Sequence, residues 1–345
     1  MKNLLAVFPS FESAIGGGVQ TTGAVAWGGL LTQYGQGLRG LSYGPIPQQR
    51  HAQMRYAASK GGAVLSAFQE GGTVDELLFW HVDMLKLLPL LRPGRARLIL
   101  FLHGIEVWRT FDRSTKRLLD RVDLFLCNSE HTWTTFVLHN PAFADHAHRC
   151  VPLGVGATTG APEADSKPAA VMLGRLVRSE DYKGHREVIA AWPNVRNSVP
   201  NAELWIIGDG DLRPMLETPA ATASGVRFFG FLPENEKQRL LAESRCLALP
   251  SRNEGFGLVY LEAMRLGKPC LVSSLDAGRE VVNPPEAGLA VDPRIQEQLI
   301  PALTELLQPG EQAQEWAIRS WRRYCDHFTA HHFQQRLIEA LALNA

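Results

Sequence analysis

Two carboxylates flank a glycine-rich segment in the last third of the chain and could bind polar groups of a single ligand. Glu254 opens the sequence Glu-Gly-Phe-Gly, and Glu262 follows eight residues later. An ionised carboxylate only accepts hydrogen bonds, so this pair suits a ligand that offers hydroxyl groups, such as a sugar or a ribose. The alternative is that both glutamates are merely solvated.

The segment around these carboxylates predicts an anion site. A buried strand over 246–249 leads through a turn at 250–253 to Gly255 and Gly257, and a helix is predicted over about 258–266. Glycines let the backbone approach a ligand, and the free N–H groups of a helix's first turn attract an anion. Phosphates flanked by hydroxyl groups are combined in a nucleotide sugar, so we predict this ligand class.

The segment from Pro250 to Met264, with its Glu-x7-Glu spacing, resembles the signature of the retaining glycosyltransferases of family 4, which have the GT-B fold. The resemblance spans nearly the whole chain and is strongest over 174–293. It implies that Glu262 holds the ribose and that Glu254 holds the donor sugar's hydroxyls. Further donor contacts are implied for Gly255, Phe256, Gly257 and Leu258.

The predicted fold class is α/β. Short apolar strands alternate with helices, which argues for parallel doubly wound sheets whose ligands lie at the carboxyl ends of the strands. The resemblance adds two Rossmann-like domains that face a central cleft, and a C-terminal helix that crosses back to the N-terminal domain. The tail over 311–343 is predicted to be helical from the spacing of its apolar residues.

The domain boundaries follow from composition and from the resemblance. We expect an acceptor-binding domain over 1–157, a nucleotide-sugar-binding domain over 168–325 and the returning helix over 326–345. The linker between the domains is rich in Ala, Pro, Gly and Thr. The segment before it looks like the end of the family's first domain, although Leu153 stands where the family usually has Asn.

Two cations bracket a loop in the second predicted domain. Arg175 and Lys183 lie between a strand over 169–173 and a helix over 186–192. A planar guanidinium and a compact ammonium together suit a diphosphate leaving group. Composition alone would make them exposed cations, but Gly174-Arg175 and Lys183-Gly184 match the family's pattern. The resemblance also places the nucleobase near Phe231 and Leu232.

The first predicted domain supplies two weaker candidates. His103 ends a predicted strand over 97–102, where a lone histidine is by default structural. Gly16, Gly17 and Gly18 follow the first strand, and an ordinary surface loop would explain them equally well. The resemblance implies that the loop carrying Gly17 and Gly18 covers the donor phosphates, and that His103 positions the sugar or shuttles a proton.

No metal or other cofactor is expected. Asp209-x-Asp211 mimics the metal-binding motif of the other large glycosyltransferase fold, but it lies in a Gly-Asp-Gly turn, where these residues suit the backbone. Arg175 and Lys183 already provide positive charge for the leaving group. The five cysteines show no paired metal spacing and indicate reduced thiols in a cytoplasmic protein.

Composition also limits the partners. A net charge of zero argues against nucleic acid. The apolar run near the N-terminus is too short for a signal peptide, and no stretch reaches membrane-spanning length. Basic residues over 109–121 are predicted on a helix whose solvated face is favoured over a membrane contact, so membrane contact would be peripheral at most. The partners expected are a nucleotide-sugar donor and an unknown hydroxyl acceptor, either a saccharide or a lipid-linked glycan.

The resemblance implies a retaining, metal-independent glycosyltransferase, specifically a hexosyltransferase, that acts in polysaccharide or glycoconjugate assembly. One alternative is a degenerate transferase that binds a nucleotide sugar without catalysis. Another is a nicotinamide-dependent oxidoreductase, which needs Gly-x-Gly-x-x-Gly after a strand and an acidic residue about 20 positions later. The spacing of Gly16, Gly17 and Gly18 does not meet that requirement.

Overall fold

The computed structural model describes residues 2–10, 17–48, 50–70, 74–162, 166–221 and 223–342. The chain forms two compact units. The first consists of Met1–Gly156 together with Phe328–Ala345, and the second of Ala157–His327. Each unit is built on one parallel β-sheet with helices between most successive strands, which confirms the predicted α/β class.

The first unit contains a seven-stranded parallel sheet in the order β3-β2-β1-β4-β5-β6-β7. Its strands are β1 (Leu4–Pro9), β2 (Leu38–Tyr43), β3 (Met54–Ala57), β4 (Glu76–Phe79), β5 (Arg97–Leu102), β6 (Leu124–Cys127) and β7 (His148–Cys150). The order reverses between β1 and β4, and a ligand of a doubly wound sheet binds at such a switch point. After the charged first residues of β4 and β5, the strands β4 to β6 are apolar and buried, as is usual for a parallel sheet covered on both faces.

The helices of the first unit are α1 (Gly18–Tyr34), α2 (Lys60–Glu70), α3 (Leu88–Leu91), α4 (Arg113–Leu119), α5 (Glu130–His139) and α13 (Ala330–Ala342). Short 3-10 helices cover Gly35–Gly37, Val82–Leu87, Ile105–Val107 and Pro141–Phe143. The predicted basic helix over 109–121 is wrong in its extent. It begins after Asp112, whose side chain accepts a hydrogen bond from the N–H of Thr115 at 2.7 Å and so caps α4. Arg109 and Arg121 therefore lie outside the helix.

The second unit contains a six-stranded parallel sheet in the order β10-β9-β8-β11-β12-β13. Its strands are β8 (Ala169–Leu173), β9 (Glu203–Ile207), β10 (Val226–Gly230), β11 (Cys246–Ala248), β12 (Cys270–Ser273) and β13 (Gly288–Val291). Its helices are α6 (His185–Ser198), α7 (Arg213–Ala220), α8 (Glu234–Glu243), α9 (Leu258–Arg265), α10 (Gly278–Val282), α11 (Gln296–Leu307) and α12 (Glu311–His327), with a 3-10 helix at Arg178–Lys183. The switch point lies between β8 and β11.

The predicted helical tail consists of two helices. It breaks at Phe328 and Thr329, so α12 belongs to the second unit and α13 to the first. Helix α13 packs against α1, where the side chain of Gln334 donates a hydrogen bond to the carbonyl of Val25 at 2.9 Å. The apolar side chains of Phe333 and Leu337 are fully buried in this contact with the first unit.

Two further observations concern the helices of the described residues. Residues 63–68 form the centre of α2. Within the described parts of the chain, no helix is both long enough and apolar enough to cross a bilayer.

Candidate active site

Most of the predicted site residues lie at the carboxyl edge of the second sheet. Gly174 and Arg175 follow β8, and the turn that leads to Glu254 follows β11, which is the neighbouring strand. This edge is where the strand order reverses, so the two loops diverge and leave room between them. The predicted cations and the first predicted carboxylate therefore lie at one switch point.

Arg175 and Lys183 converge on a carboxylate that the sequence did not single out. Glu180 accepts from the Arg175 guanidinium through one oxygen, and its other oxygen lies 2.5 Å from the Lys183 ammonium. The side chains of Glu180 and Lys183 are only 11% and 13% exposed, whereas that of Arg175 is 64% exposed. The structure thus brings both cations together and leaves the guanidinium accessible to a ligand.

The turn after β8 depends on a close backbone approach. Gly208, at the end of β9, has φ +142°, and a Cβ at this position would lie 1.8 Å from the carbonyl oxygen of Gly174. The carbonyl of Ile207 accepts from the N–H of Gly174 at 3.1 Å. Only a glycine at 208 allows the two strand ends to approach in this way. The approach fixes the start of the loop that carries Arg175.

Glu254 is held between this loop and the segment after β12. Its backbone N–H donates to Asp276 Oδ2 at 3.0 Å, and its carbonyl accepts from the N–H of Ala277 at 3.2 Å. Burial raises the pKa of the Glu254 carboxyl, the Lys183 ammonium acts to lower it, and the Glu180 carboxylate acts to raise it. Glu254 is therefore electrostatically coupled to the cation pair.

The N-terminus of α9 has the form predicted from the sequence. Gly257 precedes the helix with φ +85°, and a Cβ there would lie 2.3 Å from the ring of Tyr260. The first N–H groups of a helix have no partner within the helix, so those of Leu258 and its neighbours are suited to an anion. Gly255 and Phe256 are buried, so the backbone is the part of Phe256 that would meet a donor.

Glu262 lies just over one turn into α9 and forms an ion pair with Lys237 of α8. The Lys237 ammonium donates to Glu262 Oε2 at 2.8 Å and lies 2.8 Å from the Glu234 carboxylate. Burial alone would lower the pKa of Lys237, but the carboxylates of Glu262 and Glu234 together raise it. Glu262 therefore has a cationic neighbour that the sequence did not indicate.

The loop between β10 and α8 carries the residues predicted near the nucleobase. Phe231 is 82% exposed, which is unusual for so large an apolar side chain, and Leu232 is half-buried. An exposed aromatic ring offers a surface on which a base could stack. The nucleobase contact of these two residues remains a prediction.

The two aspartates of the Gly-Asp-Gly turn have local partners. Asp209 Oδ2 lies 3.4 Å from the guanidinium of Arg213. Asp211 Oδ1 accepts from the backbone N–H of Arg178 at 3.0 Å. These contacts agree with a structural role for the turn, while the expected metal independence stays a prediction.

His103 lies in the first unit, after β5, and is not part of the cluster in the second unit. Its Nε2 lies 2.6 Å from the carbonyl oxygen of Trp80. A carbonyl only accepts, so Nε2 carries the hydrogen and Nδ1 of the neutral ring is an acceptor. Burial lowers the pKa of His103 to about 3, against the raising effect of the Trp80 carbonyl. These features suit the positioning of a ligand hydroxyl better than a proton shuttle.

The glycine loop of the first unit is described only in part. Gly16 lies outside the described residues. Gly17 immediately precedes α1, and its carbonyl accepts from the N–H groups of Gln20 and Thr21, both at 3.1 Å. The exposed Gly18 begins the helix. Gly17 and Gly18 thus lie at the N-terminus of α1, and their contact with the donor phosphates stays a prediction.

Sequence reasoning missed three charged side chains at the site, namely Glu180, Lys237 and Asp276. Their signals were weak. Glu180 lies three residues before Lys183 in the loop that the two cations bracket, and Asp276 lies within 174–293, where the resemblance is strongest but implied no role for it. Lys237 and Asp276 contact residues of other elements, so a pattern along the chain could not reveal those contacts.

Comparison with known proteins agrees with this geometry. The model of the family "Glycosyl transferases group 1" matches residues 167–309, which is most of the second unit. The chain is 29% identical over 266 residues to the GDP-mannose-dependent alpha-(1-6)-phosphatidylinositol monomannoside mannosyltransferase of Mycobacterium tuberculosis, covering 66% of this chain and 67% of that protein. It is 30% identical over 241 residues to the GDP-mannose-dependent monoacylated alpha-(1-6)-phosphatidylinositol monomannoside mannosyltransferase of Corynebacterium glutamicum, covering 62% of this chain and 61% of that protein.

A solved structure shares the fold over nearly the whole chain. The crystal structure of Anabaena HepE in complex with UDP and glucose superposes with a TM-score of 0.73 at 17% identity, covering 99% of this chain and 100% of that one. This likeness confirms the predicted GT-B fold. The match in the second unit and the two related mannosyltransferases make the chain similar to the group 1 glycosyltransferases.

Proposed function

We propose that this glycosyltransferase moves a sugar from a nucleoside diphosphate to an acceptor hydroxyl with retention of the anomeric configuration. The observation that carries the proposal is the convergence of Arg175 and Lys183 at the switch point of the second sheet, beside Glu254. Two preorganised cations at this position match the charge that a diphosphate leaving group develops.

Each residue of the proposed site has a role that follows from its charge or hydrogen-bonding groups. Arg175 and Lys183 stabilise the departing diphosphate together with the N–H groups at the start of α9. Glu254 accepts hydrogen bonds from the donor sugar's hydroxyls, and Glu262 from the ribose. His103 accepts a hydrogen bond from a sugar hydroxyl through Nδ1. The nucleobase stacks on the exposed Phe231.

The proposed reaction transfers the sugar directly, without a covalent enzyme intermediate. The acceptor oxygen bonds to the anomeric carbon on the face from which the phosphate leaves, the bond from that carbon to the phosphate oxygen breaks, and the acceptor's proton passes to the leaving phosphate. A retaining glycosidase would instead place a carboxylate nucleophile opposite an acid. The sequence offers no good carboxylate for that role.

We further propose a metal-independent reaction in glycoconjugate assembly with GDP-mannose as the first donor to test. The relatives with the two identities given above are GDP-mannose-dependent and act on phosphatidylinositol mannosides. HepE was solved with UDP and glucose, so UDP-glucose is the second donor to test. Arg175 and Lys183 supply the positive charge that a divalent cation would otherwise provide. A saccharide or a lipid-linked glycan is the proposed acceptor class.

The proposal is tested by thermal unfolding with a panel of nucleoside diphosphates and their sugars, followed by NMR of the product. A ligand that binds only the folded state stabilises it by about 2.7 kcal/mol at a hundredfold excess over Kd. We expect one nucleotide class to raise the Tm, with no change on adding EDTA. The product should keep the donor's anomeric configuration. Inversion would contradict the mechanism, and the absence of any shift would contradict the donor site.

Replacing Glu180 by glutamine is expected to tighten nucleoside diphosphate binding by about tenfold. Glu180 neutralises Arg175 and Lys183, so an arriving diphosphate meets its negative charge as well as the two cations. Removing one charge several ångströms away is worth about 1.4 kcal/mol at an intermediate dielectric. Isothermal titration with GDP and UDP measures the change, and steady-state kinetics should show stronger product inhibition.

A matched control is Glu243→Gln. Glu243 also bridges two cations, Lys167 at 2.7 Å and Arg239 at 2.6 Å, but Lys167 precedes β8 and so lies at the opposite edge of the sheet. This variant should bind nucleotides as the wild type does. If Glu180→Gln weakened binding instead, Glu180 would serve to orient the cations and the charge argument would be wrong.

A further inference from the structure

The fully buried carboxylate of Asp276 forms a hydrogen bond with the backbone of Glu254 from the neighbouring loop. Asp276 lies three residues after β12, which is adjacent to β11 in the sheet. Its Oδ2 accepts from the N–H of Glu254 and its Oδ1 from the N–H of Gly278, both at 3.0 Å. Ala277 donates to the carbonyl of Glu254 at 3.2 Å. The peptide groups on both sides of the Glu254 Cα are therefore tied to this loop.

The same carboxylate also holds the turn before Glu254. The hydroxyl of Ser251, which is fully buried, forms a hydrogen bond with Asp276. Asp276 thus connects the beginning and the end of the turn that follows β11. A hydroxyl and two N–H groups are the means by which a protein keeps such a carboxylate in place.

This placement is electrostatically costly. Burial raises the pKa of Asp276 to about 7, the N–H groups of Gly278 and Glu254 act to lower it, and the Glu254 carboxylate acts to raise it. Burying a carboxylate beside a second one destabilises the fold unless the contacts compensate. An apolar side chain would fill the same space without the desolvation penalty of a carboxylate. What Asp276 provides and an apolar residue would not is the set of hydrogen bonds to the turn before Glu254.

We propose that Asp276 is a positioning residue that orients Glu254 toward the hydroxyls of the donor sugar. The inference rests on the proposed function, since it assigns Glu254 that contact. Asp276 is buried and acts through the backbone of Glu254 and through Ser251 in the turn before it. Its removal should therefore reduce the contribution of the sugar to binding and leave the contribution of the nucleoside diphosphate unchanged.

The test compares Asp276→Asn with the wild type by isothermal titration of GDP-mannose against GDP, and of UDP-glucose against UDP. Asparagine turns one acceptor oxygen into an NH2 group that faces a backbone N–H, so one of the two backbone contacts is lost. We expect the ratio of the Kd of the diphosphate to that of its sugar to fall about tenfold, a typical effect of losing a hydrogen bond to a charged group. The Kd of the diphosphate alone should change less than about twofold.

A double-mutant cycle shows whether Asp276 acts through Glu254. In a Glu254→Ala background, Asp276→Asn should have no further effect on that ratio. Ser251→Ala removes a hydroxyl that bonds with Asp276, so it should also lower the ratio, by a smaller factor. This variant provides the test if Asp276→Asn does not fold. Asp292→Asn is the control, because Asp292 follows β13 and bonds with Arg294 at 2.6 Å outside the proposed contact.

The outcomes separate this inference from the proposed function. Equal weakening of diphosphate and sugar nucleotide in Asp276→Asn would show a general structural role and overturn the inference. Additivity with Glu254→Ala would overturn it as well. A wild type that binds none of the four ligands would overturn the proposed function together with the inference. A wild type that binds them, with an unchanged ratio in Asp276→Asn, would overturn the inference alone.

Discussion

Replacing Lys183 by alanine is expected to lower kcat/KM by about 10²–10³-fold, the usual loss when one preorganised donor to a transition-state charge is removed. The ammonium is only 13% exposed, so its charge acts with little solvent screening. The variant should also lose one to two orders of magnitude in nucleoside diphosphate affinity, roughly 1.5–3 kcal/mol for hydrogen bonds to a charged group. Initial rates of nucleotide release and isothermal titration measure the two effects.

The matched control for this change is Lys167→Ala. Lys167 is 63% exposed, pairs with Glu243 at 2.7 Å and lies before β8 rather than after it. An exposed pair of this kind contributes roughly 0–1 kcal/mol to stability. Wild-type kinetics are expected for Lys167→Ala. If Lys183→Ala kept the nucleotide affinity of the wild type, the diphosphate would have to bind away from the switch point, and the proposed site would be wrong.

Replacing Gly208 by alanine is expected to destabilise the second unit by about 3–5 kcal/mol, because backbone strain at a positive φ and overpacking add together. The new Cβ would lie 1.8 Å from the carbonyl oxygen of Gly174, and this neighbour is backbone and cannot rotate away. The ends of β8 and β9 would have to separate. Urea unfolding followed by the fluorescence of Trp192 and Trp205, both buried in this unit, measures the loss.

Gly160→Ala is the control for the backbone change. Gly160 lies in the same unit, and no described heavy atom lies within 4 Å of the position of its added Cβ. Surface changes of this kind usually stay within about 0.5 kcal/mol. A Gly208→Ala variant as stable as Gly160→Ala would show that the two strand ends separate without cost.

The elements over 246–273 were predictable because the local sequence signals favour the same helix and strands that the folded structure contains. The predicted elements over 246–249, 258–266 and 270–272 correspond to β11, α9 and β12 within about one residue at each end. Glycine and proline end α9, and apolar runs mark the two buried strands. The same agreement between local and global preferences made the fold class predictable.

Elsewhere the local signals were weak or misleading. Strand β2 carries Arg39, Gly40 and Ser42 in six residues, so neither alternation nor a continuous apolar run marks it as a strand. The ion pair of Glu262 with Lys237 joins α9 to α8 across 25 positions. Contacts such as this one depend on how the elements pack and cannot be predicted from a single sequence.

The return of the last helix to the first unit has a consequence for how the chain is made. Synthesis proceeds from the N-terminus, so α1 leaves the ribosome long before α13, with the whole second unit translated between them. At about 5–20 residues per second, the face of α1 that packs against α13 waits roughly 15–60 s for its partner. During that interval the surface later covered by Phe333 and Leu337 is open to solvent. We therefore expect the nascent chain to need chaperone protection until translation is almost complete, with the second unit folding before the first is finished.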